Sequence, residues 1–243
     1  MSRVAHIAGM CLSAVAMAAA ATAGSRMAEG PEHEPLPLGE LRNFEGVSLS
    51  GPDRLLVRQG EGWSVQVEGD PEAIDRLDIY VRDRVLHVAR RWRGGGWAKD
   101  DQGATIRITV PRLDRLTLRG SGDVHVDRMS GDELRVSLAG SGELRIDSMT
   151  GDSAHFSVAG SGTIFARGAV TTSHVSIAGS GTVLVDQLEA DTTHVSIAGS
   201  GDAYAHARDE AHVSILGSGD AMIRGTTNCH SSKIGSGDVH CAV

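Results

Sequence analysis

The chain has 243 residues, with 31 glycines, 6 prolines and 3% aromatic side chains. A conventional globular core of this size uses more Phe, Tyr and Trp, so the composition points to a thin fold filled by Val, Ile, Leu and Ala. With 31 acidic residues against 23 basic ones, a formal net charge of -8, nucleic acid is disfavoured as a partner, as is any anionic membrane held by charge alone.

Residues 1–23 carry one positive charge, Arg3, an alanine-rich apolar run from Val4 to Ala21, and the small-x-small ending Ala21-Thr22-Ala23. These are the parts of a cleaved secretory signal. Cys11 follows Met10 rather than the small residue that a lipoprotein site needs, and leaves with the signal. Loss of Arg3 leaves 22 basic residues against 31 acidic ones. Residues 24–43 hold Pro31, Pro35 and Pro37 among Glu and Gly and read as a flexible linker.

A single domain is predicted over residues 44–243, with residues 44–115 as lead-in or cap strands. Strand candidates there are Gly46 to Leu49, Arg54 to Arg58, Ser64 to Glu68, Leu77 to Val81, Val85 to Ala89 and Ala104 to Val110. Pro71 to Asp75 makes one helical turn, and Trp92 to Gly103 reads as a loop. The segment is expected to continue or cap the first of the coils that begin at Leu116, because an open sheet edge invites aggregation.

From Leu116 to Val243 the tripeptide Gly-Ser-Gly recurs seven times, starting at Gly120, Gly140, Gly160, Gly179, Gly199, Gly217 and Gly235, with spacings of 18 to 20 residues. A fixed period of this size is the mark of a solenoid, in which each unit buries its apolar face against its neighbours. Two and four places before each of the first six triplets stand apolar residues, from Leu118 and Leu116 to Ile215 and Val213, alternating with polar ones. A second alternating run comes after each triplet, from Val124 and Val126 to Val239 and Cys241. Period two means strands with the apolar side inward, and the glycines turn the corner between them. The rest of each coil forms a third, looser side. The predicted fold is all-β: a right-handed, three-sided parallel β-helix of seven coils, its hand following the usual rule for parallel crossovers.

In such a fold equal positions stack, so columns carry more meaning than linear motifs. Five places before the triplet the column reads Arg115, Arg135, His155, His174, His194, His212 and His230. Imidazole ligates transition metals and titrates near neutral pH, so the five histidines are a candidate metal or pH-responsive stripe. The alternative is a solvated ladder of like rings stacked at the coil spacing. Ser and Thr share that face, but a His-x-Ser repeated in every coil lacks the asymmetry of a nucleophile, an oriented base and an oxyanion hole. Asp202, Asp220 and Asp238, three places after the first glycine, could share calcium or simply serve the turn.

Five places after the first glycine, the outward positions include Phe165, Leu184, Tyr204 and Met222 in four adjacent coils. A continuous apolar stripe marks a contact, either with the lead-in strands or a loop that cover it or with a partner. Cys229 and Cys241 are the two cysteines of the mature chain, both at inward positions of the last coil, and are the candidates for a disulfide.

The Gly-Ser-Gly-Asp coils from Gly120 to Val243, preceded by strands such as Leu55-Leu56-Val57-Arg58-Gln59-Gly60 and Ile106-Arg107-Ile108-Thr109-Val110-Pro111, resemble the bacterial family called putative auto-transporter adhesin, head GIN domain. The resemblance implies an exported β-helix of uncharacterised function and supplies no catalytic residues. The expected protein is therefore a non-catalytic structural or binding module of the bacterial envelope, in the periplasm or at the cell surface. Its partner would be a protein or glycan, or a second copy, met through the apolar stripe. No cofactor is called for, and no later apolar run is long enough to span a bilayer. The alternatives are metal or pH sensing through the histidines, and an enzyme acting on polysaccharide as other parallel β-helices do. Such enzymes carry non-repeating acidic or basic residues beside long loops, and Gly120 to Val243 has neither.

Overall fold

The computed structural model describes residues 37–91 and 103–243, all within one compact unit, Glu34–Val243. The secretory signal and most of the linker fall outside these residues, as does most of the Trp92 to Gly103 loop. The chain forms a β-solenoid of about six turns, which are the six intervals between the seven triplet corners.

The lead-in consists of β1 (Gly46–Ser50), β2 (Arg54–Gln59), β3 (Ser64–Gly69), the short helix α1 (Pro71–Asp75), β4 (Leu77–Arg82), β5 (Val85–Arg90) and β6 (Ala104–Val110). Strand alternation and the helix start read from the sequence hold closely. Helix α1 begins where Asp70 accepts a hydrogen bond from the Glu72 amide at 2.8 Å, with Pro71 next in the chain. The β4–β5 hairpin turns on Asp83 and Arg84, both at positive φ (51° and 60°), the backbone of the tight turn that suits a twisted hairpin.

The coils are built from β7 (Arg115–Gly120), β8 (Asp123–Val126), β9 (Met129–Gly140), β10 (Glu143–Gly160), β11 (Thr163–Gly179), β12 (Thr182–Gly199), β13 (Asp202–His206), β14 (Glu210–Gly217), β15 (Ala221–Arg224), β16 (Cys229–Gly235) and β17 (Val239–Ala242). Their pairings are all parallel, rung on rung, in the register the repeat dictates: Gly140 on Gly160, Gly160 on Gly179 and Gly179 on Gly199. The long strands bend twice. One bend is the register break between Ile146 and Met149 that opens the third run. Inward positions are buried up to Ile223, and Leu118, Val136, Phe156, Ile177, Leu144, Ile164 and Val183 belong to one continuous core.

The stacking order of the lead-in differs from its chain order. Strand β1 pairs in parallel with β5 on one side and β7 on the other, and β2 lies likewise between β6 and β8. The segment therefore both continues and caps the solenoid: two extra parallel rungs, then β4 antiparallel to β5 and β3 antiparallel to β6. Asp53 locks this arrangement. Fully buried, its carboxylate accepts from Arg90 at 2.5 and 2.8 Å and from the Ala104 amide at 2.7 Å. Near the lead-in, the linker reading needs correction at Leu41. This residue is 2% exposed and part of the core, because an apolar side chain among prolines still gains by burial.

The far end closes differently. In β16 the inward positions become Ser231 and Lys233, in register with Val213 and Ile215. Lys233 Nζ donates to the Gly237 carbonyl and to Asp238, each at 3.0 Å. Cys229 and Cys241 form a disulfide that joins β16 to β17.

Candidate functional site

Two outward faces carry the columns expected from the sequence. On the first, His155, His174, His194, His212 and His230 pair in register on β10, β11, β12, β14 and β16, with Arg135 and Arg115 continuing the column. Inward residues on either side fix each strand's parity, so every histidine faces out. The rings stack with centroids 4.6, 4.9, 4.9 and 5.3 Å apart and planes within 5° to 20° of parallel. Like nitrogens are thus separated by about the ring spacing, whereas two imidazoles on one zinc hold their nitrogens closer than about 4.2 Å. Among the described residues no group of three or more His, Cys, Asp or Glu is placed to hold one metal ion.

Carboxylates flank the ends of the ladder. Glu133 lies 3.5 Å from His155 and also pairs with Arg135 at 2.6 Å. Glu210 lies 3.4 Å from His212 and 2.9 Å from His230. In the middle, partial burial, together with the charge of neighbouring histidines, pushes His174 and His194 below the usual histidine value; Glu210 opposes this at His194. The histidines and the parallel serine row, from Ser157 to Ser232, line an open trough of about 910 Å³. This trough is a feature that single columns do not reveal. The Ser153 hydroxyl lies 3.0 Å from His155 Nε2, the same nitrogen that faces Glu133. A hydrolase relay instead has its acid on the ring nitrogen opposite the one that faces the hydroxyl.

On the second face, Phe165, Leu184, Tyr204 and Met222 pair in register across β11, β12, β13 and β15. Three are half-buried and Met222 is 37% exposed. The column continues as Arg145, His125 and Leu56. The lead-in strands extend the column at its end and, among the described residues, do not lie over it. The Arg145 guanidinium sits 4.5 Å from the centre of the Phe165 ring and closes that end of the stripe. Beside it, Asp147 gathers His125 at 2.5 Å, Arg167 at 2.9 Å and Arg145 at 3.3 Å. Partial burial works to raise the Asp147 pKa, but hydrogen bonds and charge from Arg167 and His125 outweigh it and hold the carboxyl below its usual range.

The aspartate column serves the turns. Asp202 accepts from the Asp220 amide at 3.1 Å, and Asp220 from the Asp238 amide at 2.8 Å. Sequence reasoning passed over Leu216 and Ile234, which are 59% and 71% exposed. The signal was present: the place before the triplet holds Ala139, Ala159, Ala178 and Ala198, then switches to these large residues in the last two coils.

Fold and faces together define a class: a β-solenoid that presents ladders of chemically similar residues to its surroundings. No helix among the described residues is long and apolar enough to cross a membrane. The chain belongs to the family described as Putative auto-transporter adhesin, head GIN domain, whose model matches residues 43–227. Among solved structures it is similar to a putative adhesin from Bacteroides fragilis, at 21% identity and a TM-score of 0.78, covering 84% of this chain and 94% of that one. It is also similar to a putative adhesin from Parabacteroides merdae, at 22% identity and a TM-score of 0.65, covering 84% and 93%. A third is a putative lipid binding protein from Parabacteroides distasonis, at 20% identity and a TM-score of 0.64, covering 84% and 94%. At these identities the likeness speaks for the fold. No curated protein matches the chain.

Proposed function

We propose that this protein is an exported, non-catalytic binding module of the bacterial envelope, adhesin-like in role, which meets a protein or glycan through Phe165, Leu184, Tyr204 and Met222. The observation that carries this reading is the in-register apolar stripe, left open by the described lead-in strands. Family membership supports a binding role, and the Cys229–Cys241 disulfide suits an oxidising compartment outside the cytoplasm. The test is binding of the purified protein to a glycan array and its self-association by sedimentation, beside a Leu184→Ser/Tyr204→Ser variant that keeps its β-sheet circular dichroism. Tenfold or greater loss of the detected contact is expected. Equal binding by the variant rules the stripe out, and new reducing ends from any polysaccharide rule out a non-catalytic role.

A second reading concerns the histidine column. Parallel rings at 4.6 to 5.3 Å favour proton-responsive over metal-responsive behaviour, since the nitrogens do not converge. Titration of the ring signals by NMR is expected to place His174 and His194 below the ordinary histidine value. Midpoints of these two at the ordinary value, or tight zinc or nickel binding by calorimetry, would reverse it.

A further inference from the structure

The ladder face has a charge pattern that the described chain does not balance. Once protonated, the five histidines extend Arg115 and Arg135 into a line of seven cations, about one per 4.8 Å rung. The groups facing that line from the packed strands are Glu133 on β9 and Glu210 on β14, one near each end of the histidine run. Glu189 and Asp191 on β12 are engaged by Arg208. Among the described residues no ion pair reaches His174 or His194. Beside the line runs the serine row, exposed from Ser157 to Ser232, and the two rows share one open trough of about 910 Å³.

A ligand that satisfies both rows needs several negative charges and hydroxyl groups spread along the length of the trough. A linear chain of uronic acids supplies both, since each sugar carries one carboxylate and several hydroxyls along one extended backbone. Imidazolium donates from both ring nitrogens, and serine both donates and accepts. Carboxylates laid along the ladder would offset the histidine charges that, after partial burial, lower the pKa of His174 and His194.

We propose that the His155 to His230 trough is a binding site for a linear acidic polysaccharide, held when the ladder is protonated and released when it is neutral. The proposal rests on the proton-responsive reading of the histidine column. It is tested with a galacturonic acid hexamer, a neutral cellohexaose and the galacturonate monomer, each titrated into the purified protein at pH 5.5 and pH 7.5. The hexamer is expected to bind at pH 5.5 and at least tenfold more weakly at pH 7.5, with neither control binding comparably. Replacing His174, His194 and His212 by Gln should cost about tenfold or more at pH 5.5, since several exposed charge pairs are lost together. His194→Arg should retain binding at pH 7.5 better than the wild type, which a metal or packing role would not produce. Absent binding at both pH values, equal binding of cellohexaose, or an unchanged affinity in the Gln variant overturns the proposal. If the histidines titrate by NMR and the hexamer does not bind, the ligand class fails alone. If they do not titrate between pH 5 and 7.5, both readings fail.

Discussion

Within one corner triplet, two neighbouring residues are expected to respond very differently to the same small change. Gly199 sits at φ +135°, and a Cβ built there would lie 2.3 Å from the Gly179 carbonyl oxygen of the rung beneath. That oxygen already accepts from the Ser200 amide at 2.9 Å, so it cannot withdraw without breaking the ladder. An L-residue held at such a φ costs about 1–3 kcal/mol, and forcing carbon into a filled contact adds about 1–3 kcal/mol. Gly199→Ala should therefore lose roughly 2–6 kcal/mol. Ser200→Ala, at an exposed position, should stay within about 0.5 kcal/mol. Urea denaturation followed by circular dichroism measures both. Because rungs couple to nearest neighbours, hydrogen exchange in Gly199→Ala should quicken first in β11 and β12, the two strands that meet at this contact. Equal midpoints for the two variants, or a loss in Gly199→Ala below about 1 kcal/mol, would refute the close-approach argument.

The lead-in and the ladder give two further expected outcomes. Asp53→Ala removes the buried carboxylate shared by Arg90 and the Ala104 amide and should destabilise the protein by about 3–5 kcal/mol, read as a lowered urea midpoint; a shift under about 1 kcal/mol would mean that the pair does not hold β5 and β6 in place. The lowered pKa values of His174 and His194 imply that the unfolded chain takes up these protons first. Their contribution to stability is complete above the ordinary value of 6.5 and is lost as the pH falls below it. The melting temperature should fall between pH 7.5 and pH 5, and the fall should be shallower in His174→Gln/His194→Gln; an equal slope in that variant would assign the acid sensitivity elsewhere.

Much of the candidate site was legible because a solenoid converts sequence position into spatial position. Once Gly140, Gly160 and Gly179 are stacked, His155 must lie beside His174, and Phe165 beside Leu184, without further information. Local chemistry was equally readable where it depended on adjacent residues, as with Asp70 capping α1. Contacts that join residues distant in the chain were not. Nothing near Asp53 announces Arg90, 37 residues away, and nothing near Leu41 announces that it enters the core.

The sequence by itself determined the period, the inward and outward parity of each strand, and hence the composition of the histidine and apolar ladders. These come from alternation and repeat length, which are local properties that each coil restates. The tertiary structure decided the placing of β1 and β2 between β5–β6 and β7–β8. It also decided that the imidazole planes lie parallel rather than converging on a metal. Both outcomes are set by competition among pairings and rotamers across rungs, where several arrangements satisfy the same local pattern and packing against neighbours selects one.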